Sequence, residues 1–322
     1  MKKMYSWGDD TYTWKNPGAY NFGSARRAYL DSLKNSSASK GARTYGTGSG
    51  PDMKLVDPKG KNISSDSKNP IIIAVDVTGS MSTWPAEIFD RLPLLYQTLS
   101  KYKDDVELSF VAIGDGYTDN FPLQVSDFGK GTTLDDFLKA LYPEGGGGGQ
   151  HFESYELFAY FVDNHVKTPK ATSPFLILMG DEGFYEKINK SMVEHFVGDK
   201  LQDDLDAKIV WSSVGKKFNT YLLHKEYNGL DKEIVDQWSD AIGQQKVIPV
   251  SDPTRIVDVA MGIVARSWGN FDDFGKSLNA RQDSKGIKTV MDSLKYVSTP
   301  DPTNTNSVVP SKKSGKVSKK LT

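Results

Sequence analysis

Residues 71–75 read Ile-Ile-Ile-Ala-Val, and Asp76 follows them directly. A short, unbroken apolar run has no side for water. As a strand it must be covered on both faces, which is the situation of a parallel sheet layered between helices. The next segment changes period: Ile88, Leu92, Leu95 and Leu99 recur at helical spacing. Pro85 falls in the first turn, where a missing N–H costs nothing, and Pro93 lies inside, where a kink is expected. Val106–Ile113 reads as a second strand and Leu123-Gln124-Val125 as a short third, close enough to form a hairpin with it. Helical patterns follow at Leu134–Leu141 and along the stripe Tyr155, Phe158, Ala159, Val162 and Val166. Phe175–Met179 reads as the fourth strand, Ile209-Val210-Trp211 as the fifth, and Lys246–Val250 as the last, where Pro249 suits an edge. Asp252-Pro253 is an N-cap and N1 pair for a closing helix through Trp268. This alternation predicts an α/β fold: a Rossmann-like, open, mostly parallel six-stranded sheet with helices on both faces.

The predicted domain spans residues 69–268. Residues 1–68 read as an extension, with Trp7, Tyr12, Trp14, Tyr20 and Phe22 as a packing strap, a short helix at Ser24–Leu33, and a loop from Gly41 to Pro58. Residues 269–322 read as a C-terminal extension. Its apolar pattern fades from about residue 270, and from Ser298 it becomes a disordered basic tail with no acid after Asp301. A net charge of -1 gives no general attraction to nucleic acid or to an anionic membrane. The absence of cysteine excludes disulfides and thiolate metal sites. No secretory signal and no apolar run near the roughly 18 residues of a membrane span are found, so a cytoplasmic protein is expected.

The chemistry concentrates after the first strand. Asp76, Thr78 and Ser80 alternate in a turn that Gly79 allows to close tightly. One carboxylate and two hydroxyls are hard donors, suited to Mg²⁺, with Mn²⁺ or Ca²⁺ as alternatives. Asp181 ends the Phe175–Met179 strand segment in Met179-Gly180-Asp181-Glu182-Gly183. With strand order 3-2-1-4-5-6 the order reverses between the first and fourth strands, and Asp76 and Asp181 face each other across that crevice.

Asp76-Val77-Thr78-Gly79-Ser80-Met81 resembles the Asp-x-Ser-x-Ser motif of von Willebrand factor type A domains, with threonine for the first serine. The resemblance covers residues 69–268. It implies a metal-ion-dependent adhesion site in which Asp181 matches the family's aspartate after the fourth strand. The family's middle ligand, a loop threonine, has no counterpart in Gly145–Ser154; Gln150 is best placed to substitute, with Ser154 or Glu153 as alternatives. The resemblance further implies a non-enzymatic module that binds a partner's Asp or Glu through the metal. Intracellular members work beside AAA+ ATPases, chelatases or other assembly machines.

Two other readings stand beside it. Asp76-Val77-Thr78-Gly79-Ser80 also resembles the signature of phosphorylated transport ATPases, which would make Asp76 the nucleophile of a haloacid dehalogenase-like phosphotransferase and Asp115 or Asp119 a Mg²⁺ ligand. Spacing weighs against this: one helix and one strand separate Asp76 from Asp115, and Thr78 stands where a second aspartate is usual. The third reading is a metal-free scaffold subunit. The glycines 145–149 lack the Gly-Lys-Ser/Thr of a phosphate loop, and His151, His165, His195 and His224 lack a paired metal spacing. Asp115 and Asp119 read as turn residues.

Overall fold

The computed structural model describes residues 50–81, 83–146, 151–226 and 231–297. The expected aromatic arm, the Ser24–Leu33 helix, Gln150 and the tail from Ser298 lie outside them.

Six strands form the central sheet: β1 (Asn69–Asp76), β2 (Val106–Ile113), β3 (Leu123–Val125), β4 (Phe175–Gly180), β5 (Asn219–His224) and β6 (Val247–Pro249). Their order is β6-β5-β4-β1-β2-β3, which read from the other edge is the expected 3-2-1-4-5-6. All neighbours are parallel except β3, which runs antiparallel to β2 with Ala112 opposite Gln124. All eight residues of β1 are buried. Because side chains alternate across a strand, Ile71, Ile73 and Val75 enter one core and Ile72 and Ala74 the other. The first core is closed by α1 (Trp84–Ser100) through Ile88, Leu92, Leu95 and Leu99, by α2 (Thr133–Ala140), and by α6 (Ile256–Ser267). The second is closed by α3 (Tyr155–His165), α4 (Ala207–Lys217) and α5 (Asp231–Ile242), with Phe158, Trp211 and Trp238 fully buried. Burying each such aliphatic side chain contributes roughly 1.5–3 kcal/mol, which is why the unbroken run in β1 fixes the middle of the sheet.

Ile209-Val210-Trp211 is not a strand. It lies in α4, where Ala207, Val210, Trp211 and Val214 form a buried helical stripe and Ile209 is 70% exposed. Asp206 starts this helix by accepting a hydrogen bond from the Ile209 N–H. The fifth strand is Asn219–His224, hydrogen-bonded to both β4 and β6.

The core also runs past Trp268. Helix α7 (Phe271–Arg281) buries Phe274 and Leu278, and α8 (Ser284–Leu294) buries Val290 and Leu294, all in the same cluster as α6. Asp258 of α6, itself buried, accepts from Arg281 Nη1 at 2.8 Å and from Gln282 Nε2 at 3.1 Å. Arg266 donates to the carbonyls of Leu294 and Val297. At the other end, Val56 is fully buried and Ile63–Ser64 pairs with Val166–Lys167. Among the described residues no helix is long and apolar enough to cross a membrane.

Candidate metal centre

Strands β1 and β4 end side by side, with Val75 opposite Met179. The two loops that leave them therefore start next to each other at the point where the strand order reverses. Asp76 is completely buried. Its Oδ1 accepts from the Thr78 N–H at 2.8 Å and from Thr78 Oγ1 at 2.6 Å. Its Oδ2 accepts from the Tyr155 hydroxyl at 2.5 Å. Thr78 Oγ1 lies 3.1 Å from Ser80 Oγ, and Ser80 Oγ donates to Asp181 Oδ1 at 2.9 Å. Asp76, Thr78, Ser80 and Asp181 thus form one continuous chain of oxygens across the crevice. Gly180 is required for this: a Cβ there would stand 2.0 Å from the Tyr155 hydroxyl.

The glycine-rich segment approaches from the third side. Gly79 N–H donates to the Gly146 carbonyl at 2.6 Å, and Gly145 N–H to the Val77 carbonyl at 3.1 Å. A Cβ on Gly146 would overlap the Asp119 carboxylate, at 1.7 Å from Oδ1. Ser154, one of the alternatives for the third ligand, accepts from the Gly116 N–H at 2.8 Å. Glu153, the other, is 2% exposed, and its Oε2 has no hydrogen-bond partner. Glu182, 4% exposed, also has an unpartnered Oε2.

Electrostatically the pocket is overloaded with carboxylates. Burial, then the charge of Asp181, pushes the Asp76 carboxyl up. Burial, then Asp76 and Glu182, pushes Glu153 up. Burial, then Asp76 and Asp181, pushes Glu182 up to about 8. Among the described residues a compensating cation is Lys225, just past β5, whose Nζ donates to Asp181 Oδ2 at 2.6 Å and to the Ser80 carbonyl at 2.7 Å. Lys225 is hidden in the sequence because the apolar triplet in α4 mimics the fifth strand and draws attention from the true one. Tyr155 stands in the core stripe of α3, and nothing in the sequence sets apart its hydroxyl as a partner of Asp76.

Asp115 and Asp119 are turn residues of the β2–β3 hairpin. Asp119 Oδ2 accepts from the Asp115 N–H, and Asp115 Oδ2 from Thr118 Oγ1. Above them three rings from three loops meet: Tyr117, 53% exposed, lies 4.8 Å from Tyr185, and Phe152, 38% exposed, lies 5.7 Å from it.

No family model and no curated protein matches this chain. Among solved structures it is similar to the pilus adhesin SpaC from Lactobacillus rhamnosus GG, at 10% identity and a TM-score of 0.43, over 68% of this chain and 31% of that one. It is also similar to proximal thread matrix protein 1 from the mussel byssus, at 10% identity and a TM-score of 0.44, over 64% of this chain and 49% of that one. The chain thus matches less than half the length of either. These scores are too low to carry fold or function across.

The residues themselves fit a hard divalent cation. Buried carboxylates that repel one another, two of them with unpartnered oxygens, lie beside two hydroxyls and the Lys225 ammonium. Among the described residues no group of three or more Asp, Glu or His is arranged to hold a metal unaided. A cation here would depend on the hydroxyls of Thr78 and Ser80 and on water.

Proposed function

We propose that this chain is a von Willebrand factor type A-like domain whose Mg²⁺ site captures an acidic residue of a protein partner. The observation that carries the reading is the 2.9 Å hydrogen bond from Ser80 to Asp181, which joins the two loops whose residues match the family's adhesion motif. Asp76, Thr78 and Ser80 would hold the cation from the β1 loop, and Asp181 would support it from the β4 loop. Gln150 or Glu153 would close the third side. Mn²⁺ or Ca²⁺ would substitute for Mg²⁺. When bound, the cation supplies a Lewis-acidic position that a partner's Asp or Glu completes. The exposed rings of Tyr117 and Phe152 beside the pocket support a protein as ligand, since aromatic residues are enriched where proteins meet. The expected setting is a cytoplasmic assembly, with an AAA+ ATPase or a similar machine as partner.

One observation favours a second reading, the metal-free scaffold: Lys225 already neutralises Asp181. Calorimetric titration of Mg²⁺ and Mn²⁺ into chelator-stripped full-length protein separates the two. Uptake abolished by Asp76→Ala is expected; no heat in the wild type leaves the scaffold. Incubation with a generic phosphate ester and Mg²⁺ should release no phosphate, and turnover lost in Asp76→Asn would instead establish the phosphotransferase.

A further inference from the structure

Lys225 holds a position that a divalent cation would contest. Its side chain is 13% exposed, and its ammonium bonds both to Asp181 Oδ2 and to the Ser80 carbonyl. Those two groups belong to the two loops that carry the candidate ligands. The other oxygen of Asp181 is taken by the Ser80 hydroxyl, so both carboxylate oxygens are engaged. A divalent ion seated on Ser80 and drawing on Asp181 would stand close to the ammonium in a buried pocket, where like charges repel far more strongly than in water. The lysine has another surface to rest against: its Nζ lies 5.9 Å from the Trp84 ring centroid.

We propose that Lys225 is an internal competitor of the metal, an ammonium that occupies Asp181 in the empty site and must leave it when a divalent cation binds. The inference rests on the metal-site reading above and adds its regulation. The lysine holds the two loops together without metal and keeps the empty pocket from accumulating charge. It also sets the cation concentration at which the site opens to a partner, because metal affinity is reduced by whatever the ammonium gains from Asp181. The contrary role would be that of a positioning residue, in which Lys225 orients Asp181 for the metal; its removal would then weaken binding.

The test uses the full-length chain stripped with chelator and then titrated with Mn²⁺. Wild type is compared with Lys225→Gln, which keeps a hydrogen-bonding side chain but no charge, and with Lys225→Arg, which keeps the charge. The expected result is Mn²⁺ binding about tenfold to a hundredfold tighter in Lys225→Gln, the scale of one charge-assisted hydrogen bond, with Lys225→Arg no tighter than wild type. Acylation of wild-type lysines, read by mass spectrometry, supplies a measurement that needs no variant to fold. Lys225 should be labelled faster with Mg²⁺ than with EDTA. Unchanged or weakened binding in Lys225→Gln, or a labelling rate indifferent to Mg²⁺, overturns the inference while leaving the metal site standing. Failure of wild type and both variants to take up Mn²⁺ removes the metal site and this inference together.

Discussion

Ser80 and Asp181 are 101 residues apart in the chain and 2.9 Å apart in space, hydroxyl to carboxylate. Two parallel strands in register make this possible. Val75 pairs with Met179, so the loops that leave β1 and β4 start side by side. The hydrogen bond is the point at which two halves of the sheet, wound in opposite directions, share one site.

Tyr155 orients Asp76 through its hydroxyl at 2.5 Å while the ring is fully buried. Tyr155→Phe keeps the packing and removes the bond. Loss of such a supporting contact typically lowers metal affinity about 10- to 100-fold. Mn²⁺ titration should find a loss of that size with an unchanged far-ultraviolet spectrum. Equal affinity in the variant would show that Asp76 does not need the hydroxyl.

The crowded carboxylates predict a pH dependence of stability. Glu182 titrates at about 8 in the folded chain because of burial and then the charges of Asp76 and Asp181, against roughly 4.3 unfolded. The folded state therefore binds more protons across that interval. A carboxyl with a raised folded pKa contributes least cost below its unfolded value, and stability is lost as pH rises towards the folded one. In EDTA the melting temperature should fall between about pH 4.5 and 8. Added Mg²⁺ should flatten the fall, because bound cation compensates the ionised groups. A flat profile in EDTA would mean that the pocket carries less charge than its residues imply.

The Asp258–Arg281 pair ties α7 to α6, with both side chains nearly inaccessible. Removing Arg281 leaves Asp258 with the longer 3.4 Å contact to Arg255 and the Gln282 amide, so the cost should fall at the lower end of the roughly 3–5 kcal/mol of a broken buried pair. Arg281→Ala should lower the denaturation midpoint accordingly in urea, whereas Lys170→Ala, which breaks the exposed pair with Asp66, should change it by less than about 1 kcal/mol. Similar midpoints for the two variants would refute a structural role for the C-terminal helices.

Tyr117 and Phe152 present apolar surface beside the pocket without joining the oxygen chain. Tyr117→Ala with Phe152→Ser should leave Mn²⁺ uptake and thermal stability near wild type and weaken capture of the partner by at least about tenfold, the scale of an interface hot spot. Capture unaffected by the double substitution would place the docking surface elsewhere.

Much of the fold was legible because the strongest signals are local. The run 71–75 can only be a strand covered on both faces, and the Leu123–Val125 segment sits within hairpin reach of its neighbour. Asp76, Thr78, Ser80 and Asp181 followed from that frame, and the structure brings all four together. Lys225 did not follow. Strand β5 opens with exposed Asn219 and then Thr220, while the buried stripe of α4 contains a compact apolar triplet that mimics a strand. Shifting the strand hid the residue after it. Helices α7 and α8 do carry a signal: Phe271, Phe274 and Leu278 in the first, and Ile287, Val290, Met291 and Leu294 at helical spacing in the second, all pack on the α6 core. These stripes are short and sit between polar residues, so the fading overall hydropathy after residue 270 hides them. Gln150 lies outside the described residues.

The attachment of α8 has a consequence for how the chain comes into being. Arg266 is anchored by the carbonyls of Leu294 and Val297, and Asp258 by Arg281. These partners leave the ribosome after every strand of the sheet has already emerged. Until they arrive, Asp258 has only Arg255 as a charged partner, and the flank of α6 that meets Phe274 and Leu294 is open to water. The sheet can therefore assemble during translation, but its layer under α6 is sealed only once residues 271–297 have emerged.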